Sequence, residues 1–146
     1  LDGYNVLTTI EAALSGGLIL AARDRAYRDM ASMHGSYRIV SETLPALELL
    51  GAELADLNIV ECFWYLDRPV SNSGRLKTLM QELASKKRWP WRIELVPNPD
   101  DLLAESSEVV ATADSVILNR CSSWYNLARI IIARHVQQAW IVDLSQ

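Results

Sequence analysis

Cysteine is scarce in this chain: 146 residues hold two, Cys62 and Cys121, far apart. No CxxC and no Cys/His cluster occurs, which excludes the usual zinc and dithiol motifs. Neither cysteine is expected to have a disulfide partner, and Cys62, inside an apolar run, reads as a buried small hydrophobe. No apolar run approaches the roughly 20 residues that span a bilayer, and no secretory signal is present. A reducing, cytoplasmic compartment is therefore expected, with no membrane partner. No P-loop, G-x-G-x-x-G or G-x-S-x-G elbow occurs. Positive charge is not in excess: 14 Lys and Arg against 18 Asp and Glu leave a formal charge of −4. That argues against coating nucleic acid through bulk charge, while leaving room for a local basic strip.

Half of the residues are hydrophobic. A chain of this length buries roughly 70% of its unfolded surface without staples. No repeat, low-complexity tract or long linker divides it, so residues 1–146 are expected to form a single α/β domain. The start at Leu1-Asp2-Gly3, with no initiator Met, suggests the C-terminal part of a longer chain.

Apolar patterning predicts strands over Leu18–Ala22, Asn58–Leu66, Arg92–Val96, Glu108–Thr112 and Ala139–Val142, with a further strand ending at Leu1. Helices are expected between them. Thr8 with Glu11 reads as a capping box for a short helix to Ser15, stopped by Gly16-Gly17. Pro45 opens a helix to about Ala55. Leu76, Leu79, Met80, Leu83 and Ala84 form one helical stripe. Asp100–Ser106 is a short helix with Asn98 or Pro99 at its start, and Trp124, Leu127, Ala128, Ile131 and Ile132 mark the last. The segment Arg23–Arg38 is the least regular. Strands alternating with helices imply crossovers and a mostly parallel sheet.

In open parallel sheets ligands bind beyond the C-terminal ends of the strands. Three expected strands end in aspartate: Asp2, Asp67 and Asp114, with Asp24 after Leu18–Ala22 as a fourth candidate. Clustered carboxylates repel one another, and burial sharpens the repulsion. A hard divalent cation relieves it, and Mg²⁺ keeps waters and open positions for phosphate oxygens. Metal-assisted phosphodiester hydrolysis is the chemistry this pattern points to. Each aspartate has an ordinary reading as well. Asp114 suits a helix N-cap, Asp67 before Arg68-Pro69 suits a turn, and Asp2 beside Gly3 and Asn5 suits any tight turn.

After Asp67, the residues Arg68, Ser71, Ser73 and Gly74 lead into a helix whose free N–H groups could seat a phosphate. An ordinary Ser N-cap explains the same residues. Lys86, Lys87 and Arg88, followed by Trp89 and Trp91, interleave basic and aromatic groups as single-strand binders do. They lie at a helix C-terminus, however, where a solvated, dipole-matched end is the simpler account. His34 in Met33-His34-Gly35-Ser36-Tyr37-Arg38 could serve in acid–base work or in structural hydrogen bonding. His135 is expected to pack.

Asp2-Gly3-Tyr4-Asn5-Val6-Leu7 resembles the opening of NYN-type members of the PIN-like nuclease superfamily. Val110-Ala111-Thr112-Ala113-Asp114-Ser115 is similar to their later Thr-x-Asp strand. The stretches His34–Arg38 and Leu66–Gly74 further resemble a prokaryotic family, domain of unknown function 5616. The resemblance implies a PIN-like (Rossmann-like) three-layer α/β/α sandwich with a mostly parallel central sheet. It also implies Mg²⁺ or Mn²⁺ on Asp2 and Asp114, with Asp67 carried over less directly, and RNA as substrate. Asn5 and Ser115 would orient ligands or waters. The sequence departs from the pattern at Ser115-Val116, where many PIN-like proteins place a second acid. The helical acid of the superfamily is open between Glu11, Asp29 and Glu42.

The leading expectation is a divalent-metal-dependent endoribonuclease. The alternative is a non-catalytic PIN-like module that binds RNA or a protein. A haloacid-dehalogenase-like phosphatase, in which Leu-Asp-Gly would end an Asp-x-Asp-Gly motif, is a third, with Tyr4 standing where Thr is usual. Apolar helix faces would also suit a homodimer.

Overall fold

A computed structural model describes residues 1–30 and 35–145. In chain order the elements are α1 (Gly3–Leu14), β1 (Leu18–Ala21), β2 (Tyr27–Asp29), α2 (Thr43–Asp56), β3 (Cys62–Asp67), α3 (Ser73–Lys87), β4 (Trp91–Val96), α4 (Pro99–Ala104), β5 (Val109–Val110), α5 (Ser115–Leu118), β6 (Ser123–Trp124), α6 (Leu127–His135) and β7 (Trp140–Asp143).

The strands do not form the large parallel sheet of a three-layer sandwich. Among the described residues they form three small sheets: β2-β1-β7, β3-β4 and β5-β6. In the first, β1 is antiparallel to β2 and parallel to β7. The other two are parallel pairs. This corrects the PIN-like sandwich expected from the sequence. One physical reason is strand length. The expected strand Glu108–Thr112 reduces to Val109–Val110 because the polar groups after it are spent elsewhere. The Ala111 carbonyl accepts from Asp2 N–H, the Thr112 carbonyl from the Trp124 indole and Ala113 N–H donates to Asn5 Oδ1. A second reason is β2. It lies in the segment that showed no period and turns back against β1 through a tight turn with Arg25 at φ 71°.

Other elements differ more locally. The first helix starts at Gly3, with Asp2 in the N-cap position, so Thr8 and Glu11 are helix interior rather than a capping box. The Thr8 and Thr9 hydroxyls donate back to the carbonyls of Tyr4 and Asn5, which satisfies them inside the helix. Glu11 is buried and accepts from the hydroxyls of Tyr37, at 2.8 Å, and Thr43. Trp124 belongs to β6, and His135 ends α6 exposed rather than packed. His34 lies outside the described residues. Asn98 caps α4 by accepting from Asp100 N–H, as Asn-Pro at a helix start leads one to expect. The basic residues Lys86 and Lys87 occupy the last turn of α3, and Trp89 stacks on Trp91 with centroids 5.0 Å apart.

The core sits around α1. Val6, Leu7 and Ile10 meet Leu47 and Leu50 of α2, Trp64 and Leu66 of β3, Leu76 and Met80 of α3, and Ile131 and Ile132 of α6. A small satellite of Leu103, Val110 and Ile117 joins α4, β5 and α5. Both cysteines are free thiols. No helix among the described residues is long and apolar enough to cross a membrane.

One tight contact fixes α2 against the chain after α3. A Cβ built on Gly51 would stand 2.1 Å from the Trp89 ring. Gly51→Ala is expected to lose stability despite the ~1 kcal/mol that Ala gains in helix propensity. Overpacking costs about 1–3 kcal/mol. A lower urea midpoint at unchanged m-value is the expected result, and an unchanged midpoint would show that the indole moves aside freely.

Candidate functional site

The N-terminal residues thread between two of the small sheets. Asp2 makes a parallel bridge with Tyr65 of β3, the Tyr65 N–H donates to the Leu1 carbonyl, and the Asp2 N–H donates to the Ala111 carbonyl. This backbone then turns at once into α1. Gly3 permits the turn, since a Cβ there would lie 2.5 Å from Leu66 Cδ2 and 2.8 Å from the Tyr65 carbonyl oxygen. Asp2 is thereby fixed beside the end of β3, which is Asp67, and beside the segment that delivers Asp114.

A cleft of about 500 Å³ opens there, a size that suits a ligand larger than an ion alone. Asp2, Asp67, Asp100 and Asp114 all line it, together with Tyr4, Asn5, Arg28, Asp29 and Ser115. Three of these aspartates are the strand-end residues expected from the sequence. Asp100 is the one that sequence reasoning missed. From the sequence it reads only as part of a helix start. The rule that exposed the others applies to it too, because it follows β4 by a few residues, in the first turn of α4.

The carboxylates feel one another. Asp2 is 6% exposed. Burial is the largest cause pushing its pKa up, to about 7; the negative charges of Asp100 and Asp67 add to it, and the Thr112 hydrogen bond opposes it. Asp67 is raised by burial and then by Asp100. Asp100 is raised by burial and then by Asp114 and Asp101.

A short polar relay sets the geometry. Thr112 Oγ1 donates to Asp2 Oδ2 at 2.7 Å and accepts from Asp114 N–H at 3.0 Å. Asn5 Oδ1 accepts from Ala113 N–H at 2.8 Å, so Asn5 orients backbone as well as lining the cleft. Asp114 Oδ1 accepts from Val116 and Ile117 N–H at 2.8 and 3.3 Å. The capping reading of Asp114 and its place in the cleft therefore hold together. Of the three acids open for the helical position, Asp29 reaches the cleft lining, with its Oδ2 3.2 and 3.1 Å from the Thr8 and Thr9 hydroxyl oxygens. Glu11 is committed to Tyr37 and Thr43. Asp24 pairs instead with Arg28, whose Nε donates to the Ala113 carbonyl, so Arg28 stands at the cleft with its charge offset by Asp24.

The expected phosphate seat lies apart from this lining. Arg68 donates to the Leu95 carbonyl, Ser71 Oγ accepts from Tyr37 N–H, and Ser73 Oγ donates to the Arg68 carbonyl. Gly74 is exposed, with nothing within 4 Å of a Cβ placed on it. Among the described residues, no three His, Cys, Asp or Glu groups are gathered closely enough to hold one metal ion. An all-protein cage is thus not what the side chains form. An all-oxygen donor set of like charges, of which Asp2 is buried and the others half-buried or exposed, still fits a hydrated Mg²⁺ or Mn²⁺, which is bound through one or two carboxylates and keeps several waters. The Tyr4 hydroxyl nearby is buried, and its pKa is pushed up to about 12 by burial first and Asp67 second, with the Ser73 hydroxyl opposing.

The described residues form helices around three small separate sheets, with a carboxylate-lined cleft at the N-terminus of α1. The chain belongs to the family described as domain of unknown function DUF5616, whose model matches residues 1–130. It is 37% identical over 118 residues to an uncharacterised protein of Methanocaldococcus jannaschii, covering 81% of this chain and 56% of that protein. The chain thus spans little more than half the length of this relative. No solved structure matches.

Proposed function

We propose that this domain is a divalent-metal-dependent phosphodiesterase acting on RNA, with Asp2, Asp67, Asp100 and Asp114 as its acidic centre. The observation that carries the reading is the convergence of these four carboxylates, from the ends of three strands and the start of α1, on one cleft. The likeness of Asp2–Leu7 and Val110–Ser115 to NYN-type nucleases adds to it. That likeness rests on short motifs at the site and not on sheet architecture.

Bound Mg²⁺ or Mn²⁺ would neutralise phosphate charge and make a water acidic enough to attack. The chain's own residues do the rest. Thr112 holds Asp2 at a fixed angle, and the α5 amides hold Asp114. Arg28, at the rim, can meet a phosphate oxygen of a strand entering the cleft. The absence of a gathered three-acid group among the described residues favours, as second reading, a module that binds RNA or a protein without cleaving it.

Thermal unfolding with and without excess Mn²⁺ tests the proposal. A ligand at about 100 times its Kd stabilises the native state by roughly 2.7 kcal/mol. The natural protein is expected to melt higher with Mn²⁺, and Asp100→Asn and Asp114→Asn are expected to lose most of that rise. Cleavage of a single-stranded oligoribonucleotide should vanish in both. A rise unaffected by either substitution would place the metal elsewhere. A full rise with no cleavage would leave the binding module.

A further inference from the structure

An apolar groove of about 750 Å³ runs between β3 and β5, with Leu1 in its lining. Ile59, Val60 and Phe63 line it on the β3 side and Val109 on the β5 side. Val60 is 90% exposed and Val109 65%, so the groove gathers apolar side chains that nothing covers. Its walls are also open backbone edges. In a parallel ladder, alternate residues of a strand bond to the neighbour on each side. Cys62 N–H donates to the Pro90 carbonyl and Arg68 N–H to the Val96 carbonyl. Cys62, Trp64 and Leu66 therefore face β4, while Phe63 and Tyr65 face the groove. On the other wall, Tyr125 N–H donates to the Val110 carbonyl. Val110 thus faces β6, while Val109 and Ala111 face the groove.

Leu1 and Asp2 bond to both walls at once. The Leu1 nitrogen donates to the Phe63 carbonyl, the Leu1 carbonyl accepts from Tyr65 N–H, and Asp2 N–H donates to the Ala111 carbonyl. This is the pattern at the end of a strand flanked on both sides, and it sets the two edges one strand apart. One step further along the groove, the Phe63 N–H, the Ala111 N–H and the Val109 carbonyl have no partner among the described residues. Ala111 is buried. Native folds rarely leave buried backbone groups unpaired, and an open apolar strand edge is a template for a further strand.

We propose that this groove seats the extended segment that precedes Leu1 in the longer protein, running parallel to β3 and β5 and hydrogen bonded to both. Chains of this family extend beyond the matched region: the archaeal relative is covered over 56% of its length. Continuity selects this occupant over a separate peptide. Leu1 and Asp2 already set its direction and register, and an attached segment avoids the loss of translational freedom that a separate peptide meets. The residue directly before Leu1 donates to the Val109 carbonyl and accepts from Ala111 N–H. The carbonyl of the residue before that accepts from Phe63 N–H. Apolar side chains are expected at alternate positions of the segment. The inference does not depend on the metal reading.

Amide hydrogen exchange and NMR of the full-length protein test it. The Phe63 N–H is expected to exchange as slowly as the Trp64 N–H, which is bonded to β4 whatever fills the groove. Nuclear Overhauser contacts are expected from the two residues before Leu1 to Phe63 and Ala111. Exchange at Phe63 at the rate of an unprotected amide would overturn the proposal and leave the groove open. Slow exchange with contacts to a different segment would overturn it too, as would contacts to a second copy, recognised by mixing isotope-labelled with unlabelled protein. Either result would assign the groove to that other occupant.

Discussion

Asp2→Asn is expected to make the metal-free protein more stable above neutral pH and to abolish its response to Mn²⁺. The first effect follows from burial. Asp2 titrates near 7 in the folded protein, against about 4 for an unfolded aspartate. A raised native pKa means the native state binds more protons in between, so stability is greatest below about pH 4 and declines as pH rises through about 7. The displacement corresponds to a penalty on the order of 4 kcal/mol once the carboxylate is fully charged. An amide carries no charge, and its Oδ1 can still accept from Thr112. The difference between the two stability curves should therefore be near zero below about pH 4, grow between about pH 4 and 7 in favour of the variant, and level off above that. Mn²⁺ should flatten the wild-type curve by stabilising the charged form, and leave the variant unchanged. Such a gain in stability with loss of binding marks a group kept for a site rather than for the fold. Parallel curves, with a constant offset at every pH, would show that Asp2 is not the buried titrating group.

Gly3→Ala is expected to be the most damaging single-methyl change at the site. The added carbon would meet the Tyr65 carbonyl oxygen at 2.8 Å and Leu66 Cδ2 at 2.5 Å. A leucine tip can turn, but the backbone of β3 is paired to β4 over its whole length and cannot. Overpacking of this kind costs about 1–3 kcal/mol, occasionally more. The damage should extend to binding, since Gly3 lies between Asp2 and Tyr4 and any retreat of α1 carries both away from Asp67. Gly74→Ala is the matched control. Nothing lies within 4 Å of its added carbon, so its urea midpoint should be unchanged or slightly higher. Equal midpoints for Gly3→Ala and the natural protein would mean that α1 and β3 are not locked together.

Much of the local structure is legible in the residues. The stripe through Leu76, Met80 and Leu83 is a helix and Leu18–Ala21 a strand, because burial of one face imposes a period that propensity alone does not; Trp91–Val96 and Trp140–Asp143 are strands as well, the latter with all four residues exposed. Asp2, Asp67 and Asp114 are legible for a related reason: a carboxylate directly after an apolar strand stands at its exposed end. Asp100 escaped because the turn through Asn98 and Pro99 separates it from β4, and because an acid in the first turn of a helix already has an ordinary electrostatic explanation. Thr8 and Glu11 matched a capping pattern by spacing alone, which says nothing about the helix turn already formed ahead of them.

By itself the sequence determined the longer helices and strands and the acids near strand ends, while β2, α5 and β6 were not legible in it, since only the longer elements carry a pattern among near neighbours. Only the tertiary structure decided which strands pair, and it broke the expected single sheet into three. It also decided that Asp2 is buried against Thr112, that Asp100 faces Asp67, and that the Ser71–Gly74 turn stays out of the cleft. Those outcomes depend on contacts between residues up to 110 positions apart. Register, burial and the mutual repulsion of charges come into being only when such contacts close, and no periodicity along the chain encodes them.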